Sequence, residues 1–288
     1  MTGTRPKLRF WSPWLAVFVV GWLVCFFALN ADPLGLVRAY WPLIFVGILG
    51  GTLGNATAVG GGLVFIPTLM FFYRMEPLRS LQLALASQSF GMTSGAIGWL
   101  NRKSVALDAL PYALPGLFLG SLCSTLIWRP NAFLIKGLFG PISIAVGLIT
   151  LFLLNRLGSS DRVPRRALPG LVLVSFLGGL VTGWVAIGEG ELVAAFLVLG
   201  YGLKPERGIG LGTLLLSANS IFLTLLHQFF VGGIPWSMAA FTILGCVFGG
   251  RMGPFITQWM GPKRLKTLFA VIAIGDGLLF VIQFMLFS

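Results

Sequence analysis

Two apolar stretches, residues 41–73 and 169–201, each run for about 33 residues, too long for one ordinary membrane crossing and too short for two of about 20 each. Both carry a glycine cluster at the centre, Gly60-Gly61-Gly62 in the first and Gly188-Glu189-Gly190 in the second. Backbone that leaves the helix at membrane depth must be satisfied by surrounding protein, because lipid offers no hydrogen bonds. The two segments therefore predict broken or re-entrant helices enclosed by other helices.

Further apolar stretches lie at about 78–101, 106–128, 132–155, 206–230, 236–259 and 264–287, near the length of single crossings. With 57% hydrophobic and 10% charged residues, the chain has too few charges to cover a water-soluble globule. Soluble enzymes, disordered chains and nucleic-acid modules are excluded. The excess of Lys+Arg, 20 against 8 Asp+Glu, then sets topology in a bilayer. Cys25, Cys123 and Cys246 all sit in apolar runs and suggest no disulfide framework. Arg5, Lys7 and Arg9 precede the run Trp14 to Leu29, which reads as an extra transmembrane helix, since no small-x-small cleavage pattern follows it.

Sliding the chain by 128 residues superposes Gly50-Gly51 on Gly178-Gly179, Gly60 and Gly62 on Gly188 and Gly190, Tyr73 on Tyr201, Pro77 on Pro205 and Ser89 on Ser217. With one inserted residue, Gly116 and Gly120 fall on Gly245 and Gly249. The expected organisation is a tail and extra helix over 1–40, one unit over 41–155, a basic linker over 156–168 and a second unit over 169–288. If each long segment enters and returns, most basic clusters, including Arg102/Lys103, Arg156 to Arg166 and Lys204/Arg207, share one side with the N-terminus. Arg38, Arg74, Arg79, Arg129 and Lys136 fall on the other. The expected fold is thus an all-α polytopic membrane protein with an inverted structural repeat, glycine-broken helices and a cytoplasmic N-terminus. Trp11, Trp14, Trp41, Trp99, Trp128, Trp236 and Trp259 fall near predicted span ends, where indoles anchor at the interface; Trp22 and Trp184 do not.

Inverted repeats with discontinuous helices at matched positions are the pattern of secondary transporters, with substrate held between the breaks. Backbone amides at a helix start after Gly62 or Gly190 suit an anion; the plainer reading is that these glycines only let helices approach. Gly50-Gly51-x-x-Gly54, Gly60-Gly61-Gly62 and Pro67 in the first unit, with Gly178-Gly179, Gly188-Glu189-Gly190 and Tyr201-x-x-x-Pro205 in the second, resemble the TauE/SafE sulfite exporter family over about 41–287. The sequence departs from the commoner pattern at Glu189, where a third glycine is frequent, and at Ala195, opposite Pro67. The resemblance implies movement of small sulfur-containing anions such as sulfite, sulfoacetate or thiosulfate across an inner membrane.

Ionisable groups at membrane depth are functional candidates, since they are costly unless paired or hydrated. Glu189 reads as a proton carrier or as a neutral helix-start residue. Glu191 points about 200° away on a regular helix, and Asp276 either pairs with a base or accepts a helix hydrogen bond. Arg251 matches the oxygens of a sulfonate or sulfite, or snorkels to the interface. Ser87, Gln88, Ser89, Thr93 and Ser94, with their counterparts Thr213, Ser217, Asn219 and Ser220, supply hydroxyl and amide donors for a cavity or for interhelical bonds; Asn55 and Thr57 join them. His227, near a helix end, reads as solvated or structural. One histidine and no metal-ligand spacing leave enzymatic and metal chemistry without support, and no phosphate-binding loop points to ATP. No cofactor is expected. The expected partners are a small anion, a coupling proton or other ion, lipid, and no nucleic acid; glycine-bearing faces suit a homodimer as well as packing within one chain.

Overall fold

Prolines open most of the helices, where the missing N–H costs nothing. The computed structural model describes residues 12–154, 158–260 and 262–287. Its elements are α1 Pro13–Leu29, α2 Pro33–Tyr40, α3 Leu43–Thr57, α4 Gly62–Pro67, α5 Pro77–Asn101, α6 Leu110–Leu122, α7 Ala132–Leu154, α8 Leu168–Val185, α9 Glu189–Tyr201, α10 Pro205–Leu226, α11 Trp236–Met260 and α12 Pro262–Phe287. The chain continues from α4, α6 and α10 into π-helical turns at Thr68–Phe72, Cys123–Ile127 and His227–Val231. Arg5, Lys7, Arg9, Trp11 and Arg156 lie outside the described residues.

Five stretches are long and apolar enough to cross a membrane: Leu107–Ile127, Ala132–Phe152, Arg165–Val185, Pro205–Val231 and Thr267–Leu286. Together α1 and α2 add a sixth if they count as one span, although they are bent by 116°. The protein is a multi-pass membrane protein. Asp32 makes the bend, accepting a hydrogen bond from Gly35 N at 2.9 Å just ahead of Pro33. Residues 33–40, within the expected tail-and-helix region, form a second short helix with an exposed apolar side, Leu34 and Val37.

Close approach of backbones holds the bundle together. Helix α3 packs along α11, α8 along α6, and α7 along α12, while α5 lies between α10 and α11. A Cβ at Gly116 or Gly120 of α6 would collide with the Val172 or Phe176 carbonyl of α8. A Cβ at Gly245 or Gly249 of α11 would collide with the Ile44 or Ile48 carbonyl of α3. The glycines that superpose in sequence thus make equivalent crossings, and the obstacle in each case is main chain that has no rotamer to escape into.

Trp22 finds its role in docking the extra helix: Nε1 donates to Ala240 O of α11 at 2.9 Å and the ring stacks on Phe26 with centroids 5.0 Å apart. Trp41, Trp128, Trp236 and Trp259 are exposed at helix ends as expected. Trp99 is not an interface anchor; it is buried, donates to Asn55 O at 3.2 Å and carries Arg102 over its ring. Trp184 lies at the end of α8 and donates to Trp128 O at 2.9 Å. The described part of the basic linker is clasped to the α9–α10 junction by Ser160 N to Gly202 O at 3.0 Å and Lys204 N to Ser160 O at 2.9 Å. Lys204 Nζ reaches Asp161 at 2.6 Å, and this bond holds the Asp161 carboxyl below its usual range.

Overpacking at a backbone crossing costs about 1–3 kcal/mol or more. Gly120→Val and Gly249→Val should each lower the thermal midpoint of the detergent-solubilised protein by several degrees. Gly200→Ala, on a helix face with nothing within 4 Å, should leave it unchanged or raised; equal effects at all three positions would contradict the close crossings.

Candidate functional site

Both long segments break where their glycine clusters stand. Helix α3 ends at Ala58 with φ 66° and Gly60 follows with φ 102°; α8 ends at Ala186 with φ 56° and Gly188 follows with φ 99°. Each left-handed pair is spaced 128 residues from the other. An alanine in this region is strained by about 1–2 kcal/mol, so its surroundings must hold it. Ala58 N bonds Gly54 O at 2.9 Å and Ala186 N bonds Thr182 O at 2.8 Å, closing the helix ends.

The two breaks meet. Gly188 N donates to Val59 O at 3.2 Å, and Gln88 Nε2 of α5 donates to Ala186 O at 2.9 Å. A Cβ on Gly62 would strike the Ala186 carbonyl, and a Cβ on Gly190 would strike the Ala58 carbonyl, so each break presses a glycine against the other's turn. Within each segment the arms also touch: Gly170 lies against Phe196 and Gly178 against Glu189, as Gly50 lies against Phe65. Gly60 belongs to the crossing of the two breaks, facing the Gln88 side chain and the Ala186 carbonyl, while Gly61 lies against Phe65 and Gly50 O of its own segment.

Glu189, fully buried, is the polar centre. Asn219 Nδ2 of α10 donates to its Oε2 at 2.5 Å, and Ser121 of α6 donates to Asn219 Oδ1 at 2.5 Å. Thr182 stands beside the carboxyl, but its hydroxyl is directed to Ile187 O at 3.4 Å, and Glu189 Oε1 has no hydrogen-bond partner. Among the described residues the ion pairs join Arg79 with Glu76, and Asp161 with Lys204 and Arg207; none reaches Glu189. A carboxyl held by neutral donors alone is a place where one proton changes the local charge by a full unit, and burial makes that change expensive to ignore. The acidic first turn of α9 also faces the positive end of its own helix dipole, which favours the carboxyl over an external anion there. In the first half, α4 has six α-helical residues and continues into the π-helical turn Thr68–Phe72.

Residues at the matching positions of the other half are all glycine: Gly61 for Glu189, Gly91 for Asn219 and Gly250 for Ser121. The buried Phe65 ring takes the space beside Gly50 and Gly61. Gly250 lies against the Gly91 carbonyl and Cys246 takes the space at Gly91, while Asn55 stands beside them, donating to Gly51 O at 2.8 Å and Gly91 O at 3.1 Å.

Other expected residues are distributed around this centre. Thr57 bonds back to Leu53 O at 2.8 Å. Ser87 meets Thr242 of α11 at 2.6 Å and Ser94 donates to Val247 O at 2.8 Å, so both face α11 and make interhelical bonds. Thr93 meets Ser217 at 2.7 Å across α5 and α10, with Ser89 below it bonded to Ala86 O. Thr213 bonds Ile209 O. Glu191 faces away from Glu189, as the helical angle requires, and accepts from Thr150 of α7 at 3.2 Å. Asp276 is half-buried on α12 with no base paired to it among the described residues. Arg251 is not beside Glu189; its guanidinium lies over the Trp14 ring of α1 at 5.7 Å. His227 is buried rather than solvated. Ser121, Thr150 and Gln82 were not expected; polar residues scattered through apolar runs are a signal too common to single them out.

Two broken segments meeting at their breaks beside a buried carboxyl, inside a multi-pass helical bundle, define a membrane protein built to hold something polar at depth. The particular group follows from comparison: the pattern of the family described as Sulfite exporter TauE/SafE matches residues 43–279, and the chain belongs to this family of membrane transporters. The match leaves α1 and α2 outside. The chain is similar to the probable membrane transporter protein YunE of Bacillus subtilis, 24% identical over 82% of this chain and 94% of that one. A probable membrane transporter protein of Haemophilus influenzae is 27% identical over 76% of this chain and 86% of its own, and YjnA of Bacillus subtilis 25% over 82% and 97%. No solved structure matches the chain.

A hydrogen bond to a buried carboxyl contributes about 1–2 kcal/mol inside a bundle. Asn219→Ala should therefore lower the thermal midpoint more than Glu189→Gln, and the double variant should lose less than the sum. Strict additivity in that cycle would show that the two side chains do not interact.

Proposed function

We propose that the protein is a secondary transporter of small sulfur-containing anions, sulfite, sulfoacetate or thiosulfate among them, working by alternating access in an inner membrane with its N-terminus in the cytoplasm. The family description supports the substrate class. In this reading 41–155 and 169–288 are inverted units, and 41–73 and 169–201 are re-entrant hairpins whose tips meet at the substrate. The reciprocal collisions of Gly62 with Ala186 O and Gly190 with Ala58 O support a two-fold relation between the units. The antiparallel contacts Gly170 with Phe196 and Gly178 with Glu189 support hairpins.

Glu189 carries the coupling. The observation behind this is a fully buried carboxyl with one unbonded oxygen and only neutral donors around it. When ionised it repels an anion at the crossing; when it binds a proton the repulsion ends and anion and proton can move together. Glu191, tied to Thr150, and Asp276, on the outer helix α12, are left with structural roles in this scheme.

Anion flux into proteoliposomes with and without an imposed pH gradient tests the reading. The parent should show saturable flux of at least one sulfur anion that the gradient accelerates; Glu189→Gln should retain flux and lose the acceleration. Gradient-insensitive flux in both proteins would indicate a channel or another coupling group, and flux only of a carboxylate control would replace the substrate class.

A further inference from the structure

We infer that the seam between α5 and α10 is the passage the anion follows, and that His227 is a substrate-contact residue at one end of it; this rests on the transporter reading. The two helices run antiparallel, as shown by Gln82 near the start of α5 meeting His227 near the end of α10, and by Thr93 meeting Ser217 midway. Along α10, Thr213, Ser217, Ser220, Thr224 and His227 recur every four or three residues, and all are buried. That spacing places them on one face over about 21 Å, roughly two-thirds of the hydrocarbon core. Asn219 lies about 120° round the helix from the centre of this line, so the line is distinct from the Glu189 centre.

The line has a defined end at each side. At the start of α10 stands a cleft of about 570 Å³ to which Lys103, Arg162 and Arg207 contribute cations, with Asp108 among its walls. At the other end Gln82 Nε2 donates to Gly232 O at 2.7 Å and faces His227 Nδ1 at 3.3 Å. Because an amide N–H₂ can only donate, Nδ1 accepts and the ring proton sits on Nε2. That N–H is buried and has no partner; one helical repeat away, the Ser220 hydroxyl is buried and also lacks one. A lone buried donor costs about 1–3 kcal/mol, and these two, about 10 Å apart along one face of one helix, are each met in turn by a passing ligand with several acceptor oxygens and no hydrogen to offer. A small oxyanion has that chemistry, and neutral donors bind it without trapping it.

Cysteine accessibility in the full chain, reconstituted with Cys25, Cys123 and Cys246 replaced by alanine, tests the passage. Ser220→Cys and Thr224→Cys should react with a membrane-impermeant maleimide at least tenfold faster than Leu225→Cys, which is on an exposed apolar face. The labelling should slow several-fold in sulfoacetate or thiosulfate, whichever the flux assay moves; sulfite is unsuitable because it adds to maleimides. His227→Phe should raise the half-saturating anion concentration about tenfold with little change in maximal rate, and His227→Gln, which restores an N–H at that depth, should return it. Equal labelling at all three cysteines overturns the passage. A fall in maximal rate alone in His227→Phe, unrepaired by glutamine, assigns His227 to structure and overturns its contact role. If no anion moves in the flux assay the transporter reading has failed, while the labelling rates still report whether the seam is wet.

Discussion

A helix that stops inside a bilayer exposes amides and carbonyls that lipid cannot satisfy, and the structure depends on how two such stops are reconciled. Neither break is self-sufficient. The Gly188 amide takes its acceptor from Val59, the Ala186 carbonyl takes its donor from Gln88, and the glycines at 62 and 190 let each chain come close enough for this to happen. Strained alanines at 58 and 186 persist because this mutual packing leaves no alternative. The remaining helices act as a wall around the contact, and their own glycine crossings set how tightly the wall closes.

Much of this was legible before any coordinates. The length of 41–73 and 169–201 required a break, the glycine clusters located it, and a shift of 128 residues related the two. Lone polar residues were less legible. Ser121 looks like any serine in an apolar span until α6 is laid on α8 and α10, and its bond to Asn219 spans 98 residues of sequence. Arg251 was legible as a guanidinium at depth, but its place over Trp14 was not, because the extra helix that supplies that ring lies outside the repeat pattern. His227 sat too close to a helix end for periodicity to reveal that Gln82 and the Gly232 turn fold over it.

Helix α10 carries polar groups on two sides about 120° apart, an arrangement that costs it the apolar surface other spans present. It tolerates this because its neighbours α5, α6 and α9 cover both faces. A displacement of this one helix therefore alters the carboxyl centre and the hydroxyl line together.

The glycines at 61, 91 and 250 bear on the cycle as a whole. In a transporter whose halves were chemically alike, exchanging their conformations would turn the inward-open form into the outward-open one at no cost. Here one half keeps a carboxyl, an amide and a hydroxyl where the other keeps bare backbone and the Phe65 ring. The two matched halves are therefore chemically unequal at their shared centre, and any rearrangement that exchanges their surroundings meets a different set of polar groups on each side.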